Sequence, residues 1–315
     1  WTCPECLWVN GAFEDVCDGC NTSCGAGLVA RAQAGVAAEA QQGKSFAEQP
    51  SQSDILSACI RRIVAQDDIM ELMDKRLVPG VHFKTLPPAV TGFRAWKRCR
   101  ELTFGKSDLD RGKAEWSVPG GVGNSVARIL YFHGGDFMFH SPQDRHVKAA
   151  TSRLAASSGM PVLALDFRLV PEWKHPAQLL DAVDGFAWIS ANGPDGPGKA
   201  SAVFLSGESS GATLAIALAI YLRDHPRHFG EVNGLSIVSP ATDLSCKGET
   251  YRSRRWKPGG GARCDPVFRG ADPAADSMPS IHMLLGEPGV SGAFAPTDPE
   301  ISPLHAELHG LPPMQ

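Results

Sequence analysis

No apolar run in this 315-residue chain is long enough to cross a bilayer. The longest, Ala212 to Leu222, falls well short of the ~20 residues a spanning helix needs, so no transmembrane segment is expected. Nor does charge of one sign accumulate. Lys and Arg number 30 against 34 Asp and Glu, and the net charge of −4 comes without a basic stripe, which argues against nucleic acid as a partner. A charged-then-apolar signal segment is missing from the first residues, although the chain opens at Trp1 without a methionine. A disulfide framework is missing too. Of nine cysteines, Cys24, Cys59, Cys99, Cys246 and Cys264 form an odd, irregularly spaced set, which suggests thiols in a reducing compartment and a cytoplasmic protein.

Gly207-Glu208-Ser209-Ser210-Gly211 is the most informative stretch that is present. It fits G-x-S-x-G and lies between a strand-like run, Ala202-Val203-Phe204-Leu205-Ser206, and a run in which Leu214, Ala215, Leu218, Ala219 and Leu222 recur at helical spacing. A strand, a sharp turn and a helix make a nucleophile elbow, with Ser209 as candidate nucleophile. Glycine is needed two positions to either side because so tight a turn leaves no room for side chains. Taken alone, the pattern also fits a glycine-rich strand-to-helix loop. Upstream, Arg128-Ile129-Leu130-Tyr131-Phe132 reads as another strand and delivers His133-Gly134-Gly135-Asp136-Phe137. Acyl transfer places negative charge on a carbonyl oxygen, which bare backbone N–H groups at Gly134 and Gly135 can approach closely. The N–H of Ser210 completes the expected oxyanion hole, with His133 in a supporting position. Each motif follows its own strand, and together they point to a serine hydrolase.

These blocks resemble the hormone-sensitive-lipase-like branch of the α/β-hydrolases, the alpha/beta hydrolase fold-3 type, and further blocks follow in the family's order. Asp166-Phe167-Arg168-Leu169-Val170-Pro171-Glu172 is similar to the family's D-Y-R-L-A-P-E. Pro176-Ala177 with Asp181, Ser239-Pro240-Ala241-Thr242-Asp243, Ser302-Pro303-Leu304-His305 and Gly310-Leu311-Pro312-Pro313 complete the set. The resemblance implies an α/β fold, a doubly wound sheet with a helical cap. It also implies a carboxylesterase or lipase type of enzyme that takes a small-molecule ester and needs no cofactor for catalysis. Arg168, Glu172 and Asp181 are expected to form a partly buried ion-pair network, since buried charges persist only when paired.

The chain departs from that family in places. Asp136 stands where the family has a third glycine, and it is expected to point away from the oxyanion or to meet a polar substrate group. Ser210 and Ala212 replace the usual Ala and Gly of the elbow. The triad of this fold runs Ser, then Asp or Glu, then His, and in the family the last two follow the G-L-P-P block. Gln315 stands two residues past that block, so the expectation is a fragment with late strands, catalytic acid and base missing, and with little activity. Asp243, Asp265, Asp272, Asp276 and Asp298 follow the serine, as do His282, His305 and His309, but none lies in a block the family uses for acid or base. His225 and His228 read as favourable charges at the end of the elbow helix.

A second pattern opens the chain. Trp1, Cys3, Cys6, Asn10, Cys17 and Cys20 give W-x-C-x2-C-x3-N-x6-C-x2-C, in which two knuckles present four thiolates to a structural Zn²⁺. This resembles a Ran-binding-protein-type zinc finger across residues 1–25, a family whose members bind single-stranded RNA or ubiquitin. Glu14 and Asp15 in the stretch between Asn10 and Cys17 would repel phosphates. Trp8, Phe13 and Val16 would form an apolar contact patch. The expected partner is therefore a protein, ubiquitin-like, rather than a nucleic acid.

The expected layout is a zinc-ribbon module at 1–25, a linker rich in Ala, Gln and Gly at 26–52, a helical cap region at 53–110, and the hydrolase core at 111–315. Within the third segment Leu56, Ile60, Ile63 and Val64 share a helical face that Ile69, Leu72 and Met73 continue. They either shape the acyl pocket or pack on the core. Trp256 to Met278, rich in Gly, Arg, Pro and Asp, reads as a surface insertion. An alternative function is non-catalytic: a ligand receptor, as in the plant gibberellin receptors that resemble this family with the base lost, or a zinc-finger adaptor. Retention of Ser209 and both oxyanion glycines favours the enzyme.

Overall fold

Alternation of apolar side chains within one short strand sets the layering of this protein. The computed structural model describes residues 75–87, 113–122, 127–170, 173–226, 230–249, 253, 255–256, 265–269, 279–286 and 293–315. The finger cysteines Cys3, Cys6, Cys17 and Cys20, the linker, the apolar residues from Leu56 to Met73, Glu172, His228, Asp272 and Asp276 lie outside the described residues.

The main sheet has six strands: β1 (Val81–Leu86), β2 (Ala114–Pro119), β3 (Arg128–Phe132), β4 (Val162–Leu165), β7 (Val203–Glu208) and β8 (Gly234–Val238). A two-residue hairpin, β5 (Asn192–Gly193) with β6 (Gly196–Pro197), intervenes in sequence. The spatial order is β1-β2-β4-β3-β7-β8. β1, β2 and β4 pair antiparallel, and β4, β3, β7 and β8 pair parallel. Beyond β8 the run from Pro313 to Gln315 pairs with it: the Leu235 N–H donates to Pro313 O at 2.9 Å and the Ile237 N–H to Gln315 O at 3.0 Å.

Three helices cover the parallel strands: α1 (Arg145–Ser158), α2 (Ala177–Ala191) and α3 (Ser210–Asp224). Ile129 and Tyr131 of β3 join Val162 and Ala164 of β4 in a cluster with Val147 and Ala155 of α1. The alternate residues, Leu130, Phe132, Leu163 and Leu165, join the larger cluster built on α2 and α3. Period-two alternation thus feeds two cores, one on each face, as a doubly wound sheet requires. Helix α3 is buried at every position from Ser210 to Ile220, which is why its sequence is apolar all round rather than striped. No helix among the described residues is long and apolar enough to cross a membrane.

Two departures from the sequence expectation stand out. Residues 81–86 lie within the span expected to be helical, yet they form edge strand β1. Val81, Phe83 and Leu86 are half-buried while His82, Lys84 and Thr85 are exposed, a strand-like alternation too short to stand out against helical neighbours. Glu115, almost fully buried on β2, fastens this edge by accepting from Thr85 Oγ1 at 2.5 Å and pairing with Lys148 Nζ at 3.0 Å. The stretch expected as a surface insertion contains β10 (Asp265–Arg269), paired in parallel with β9 (Arg255–Trp256).

The ion pair expected of Arg168 and Asp181 is present. Arg168 Nε donates to both carboxylate oxygens of Asp181 at 3.0 Å, and its backbone N–H donates to Oδ2 at 2.8 Å. Its guanidinium also donates to Ala177 O at 3.1 Å, so the loop after β4 is tied to the first turns of α2. Both residues are buried. Replacement of Asp181 by Ala strands a buried guanidinium and should cost about 3–5 kcal/mol, read as a lower urea midpoint at unchanged slope. The paired change R168M with D181L should recover most of that loss; equal destabilisation by both would show that the pair itself is not what holds the loop.

Candidate active site

The parallel strands end together at one edge, and the loops leaving β3 and β7 meet there. Ser209 lies between β7 and α3 with φ 51° and ψ −125°, a left-handed conformation that non-glycine residues rarely adopt. Two glycines make this turn possible. A Cβ on Gly207 would meet the carbonyl oxygen of Gly211 at 2.7 Å, and one on Gly211 would overlap the carbonyl oxygens of Phe132 and His133. The start of α3 is therefore pressed directly on the backbone that leaves β3.

The candidate oxyanion loop follows that contact. A Cβ on Gly134 would lie 3.2 Å from the Cβ of Ser209, which places the two motifs in contact. Gly135 has φ 109°, and a Cβ there would meet Phe139 O at 2.6 Å and the His140 ring at 2.7 Å. Its carbonyl accepts from the N–H groups of Met138 and Phe139 at 2.8 and 2.9 Å, closing a tight turn. Ser210 is the first residue of α3, so its N–H has no intrahelical acceptor and stands at the positive end of the helix. His133 is fully buried, with Nδ1 2.8 Å from Gly134 O and its ring stacked on Phe167 at 4.5 Å. Asp136, in place of a third glycine, is half-buried with φ 56°.

One side-chain role escaped the sequence reading. Ser210 was expected to serve through its backbone alone, yet its hydroxyl oxygen also accepts from the Phe137 N–H at 3.2 Å and bridges the two loops. A hydroxyl in place of the expected methyl was the available signal. A second omission is the cluster His140, Asp144 and His146 beyond the same loop, whose ligand atoms all lie within 4.8 Å of one another. Burial, together with neighbouring His140, lowers the His146 pKa to about 4, against the raising effect of Asp144. A lone spacing of H-x3-D-x-H gives little sequence signal, because the turn at His140 brings the groups together.

Asp243 and His305 do come together, with Nε2 3.3 Å from Oδ1. Asp243 Oδ1 also accepts from the Ser245 N–H at 2.9 Å and the Ser245 hydroxyl at 2.6 Å, and neighbouring Leu244 and Thr242 bond the loop at Ser302–Leu304. The pair thus fastens one loop to another. No histidine among the described residues hydrogen-bonds Ser209. His225 is the C-cap of α3, where its ring bonds Tyr221 O at 2.7 Å.

Replacing Ser210 by Ala removes the acceptor for the buried Phe137 N–H. We expect a loss of about 1–3 kcal/mol in denaturant unfolding; a variant as stable as the parent would mean that this bridge does not hold the loop.

A family model described as alpha/beta hydrolase fold matches residues 129–315. An acetyl-hydrolase of Streptomyces hygroscopicus is 33% identical over 204 residues, covering 64% of this chain and 58% of that protein. An esterase of Acinetobacter venetianus is 30% identical over 188 residues, covering 59% of this chain and 53% of that one. The chain thus spans a little over half the length of these relatives. Among solved structures, an esterase from the bacterial hormone-sensitive lipase family shares the fold at a TM-score of 0.55 and 24% identity, covering 85% of this chain and 78% of its own. The matched stretch takes in both candidate motifs and more than half of the residues: this chain belongs to the alpha/beta hydrolase fold family.

Proposed function

We propose that this protein hydrolyses carboxylic esters through an acyl-enzyme on Ser209. The observation that carries the reading is the junction of two loops, where Gly134 packs on the Cβ of a serine held in a left-handed elbow. The substrate carbonyl oxygen lies toward the N–H groups of Gly134, Gly135 and Ser210. Ser209 Oγ attacks the carbonyl carbon and gives its proton to a histidine base, and the three N–H groups take up the charge on oxygen. Collapse of the tetrahedral intermediate expels the alcohol, which receives that proton. Water then repeats the sequence and frees the acid and the serine. His133 acts as a positioning residue through its bond to Gly134 O and its stack on Phe167. The base and its carboxylate are not assigned to the Asp243 and His305 pair, because Asp243 is committed to its own loop.

The relative named an acetyl-hydrolase suggests short acyl groups, so p-nitrophenyl acetate is the first substrate to try. Ser209→Ala should reduce kcat/KM by about 10³-fold or more, and undiminished turnover would refute the assignment.

The proposal extends to the first 25 residues, where Cys3, Cys6, Cys17 and Cys20 have the donor chemistry for one structural Zn²⁺ and Trp8 with Phe13 suits a ubiquitin-like protein partner. Changing Cys3 and Cys17 to Ser should remove one equivalent of bound zinc and abolish ubiquitin binding while leaving ester hydrolysis unchanged. Retention of the zinc and of the partner would rule the finger out.

A further inference from the structure

Just past the candidate oxyanion loop, three potential metal ligands converge on one point. Asp144 is the N-cap of α1 but makes no side-chain capping bond. Its Oδ1 accepts instead from the Ser141 hydroxyl at 3.0 Å, and its Oδ2 lies 3.4 Å from His140 Nδ1. His146, buried in the first turn of α1, sets its ring 4.4 Å from the His140 ring at 70°. One ligand atom from each residue lies within 4.8 Å of the others. Ligand bonds of about 2.0–2.1 Å to a tetrahedral ion require separations of roughly 3.4 Å, a closure within reach of side-chain rotation.

The geometry points to a binding site for a zinc-like divalent transition-metal ion held by His140, Asp144 and His146. Two imidazoles and one carboxylate are borderline donors of the kind such ions prefer, and water can complete the coordination. The Ser141 hydroxyl orients the carboxylate from outside, as partners of metal ligands do. His140 and Asp144 are partly exposed, at 19% and 28% of their side-chain surface, so an ion can enter without unfolding the loop. His140 is held at φ 76°, a backbone conformation that costs energy and that a bound ion would hold in place. Its ring rests on Gly135, so the ion would clamp the loop carrying Gly134 and Gly135 to the start of α1. This inference does not depend on ester hydrolysis, because it concerns binding and stability.

The test uses the full chain with Cys3, Cys6, Cys17 and Cys20 changed to Ser, so that the four finger thiolates do not compete. Calorimetric titration with Zn²⁺ should show one equivalent bound, and saturating zinc should raise Tm by about 5 °C or more. His140→Gly relieves the backbone strain, so it should keep or raise the metal-free Tm while weakening zinc binding by at least about 10-fold. Asp144→Asn should weaken binding similarly. With Co²⁺ in the same protein, visible d–d bands should appear without thiolate charge-transfer absorption. Absence of bound zinc, or a His140→Gly variant that binds as tightly as its parent, overturns the site.

Discussion

A backbone contact too close for any side chain organises the edge of this protein that carries the candidate site. Gly211 at the start of α3 lies against the carbonyl oxygens of Phe132 and His133, and Gly207 lies against Gly211 in turn. These contacts fasten the elbow after β7 to the loop after β3 through main-chain atoms alone. Gly134 then reaches Ser209 as a consequence rather than through a separate interaction. Because backbone fixes the distance, the side chains around it can vary, which explains how the fold accommodates Asp136 and Ser210 at positions where smaller residues were expected.

The same closeness is expensive in conformation. Ser209, Asp136, Phe137 and His140 all have φ between 51° and 76°, and strained residues of this kind cost about 1–3 kcal/mol each. They persist because other contacts over-determine them. Phe137 is buried, its N–H donates to Ser210 Oγ, and its carbonyl accepts from the Val170 N–H at 2.9 Å. Val170 in turn follows Arg168, which the Asp181 carboxylate holds. The strain at one edge is thus supported by an ion pair two loops away, and the expected charge network has a purpose beyond holding its own loop.

Legibility from sequence followed the range of the interactions. The elbow, its helix and the strand before the oxyanion loop are local, each announced by glycine spacing or a run of apolar residues, and the structure places them together. Arg168 and Asp181 were legible because charges amid apolar residues need partners. β1 was not, since six alternating residues carry little periodic signal and their pairing with β2 is long-range. The grouping of His140 with Asp144 and His146 depends on a left-handed turn at a non-glycine residue, which no propensity predicts. The bridging role of Ser210 depends on where Phe137 comes to rest, a tertiary fact.

Electrostatics at the elbow follow from the burial of α3. A 15-residue helix enclosed along most of its length is weakly screened by solvent, so the partial positive charge at its first residue would act on negative charge placed beside Ser210. Glu208, adjacent to Ser209, would oppose that field if its charge were uncompensated. Its charge acts on the buried Tyr131, whose hydroxyl is pushed well above its ordinary range chiefly by burial and then by Glu208. The first residue of α3 carries a field of the opposite sign to that of Glu208. That field favours negative charge on a carbonyl oxygen, which is the charge acyl transfer develops.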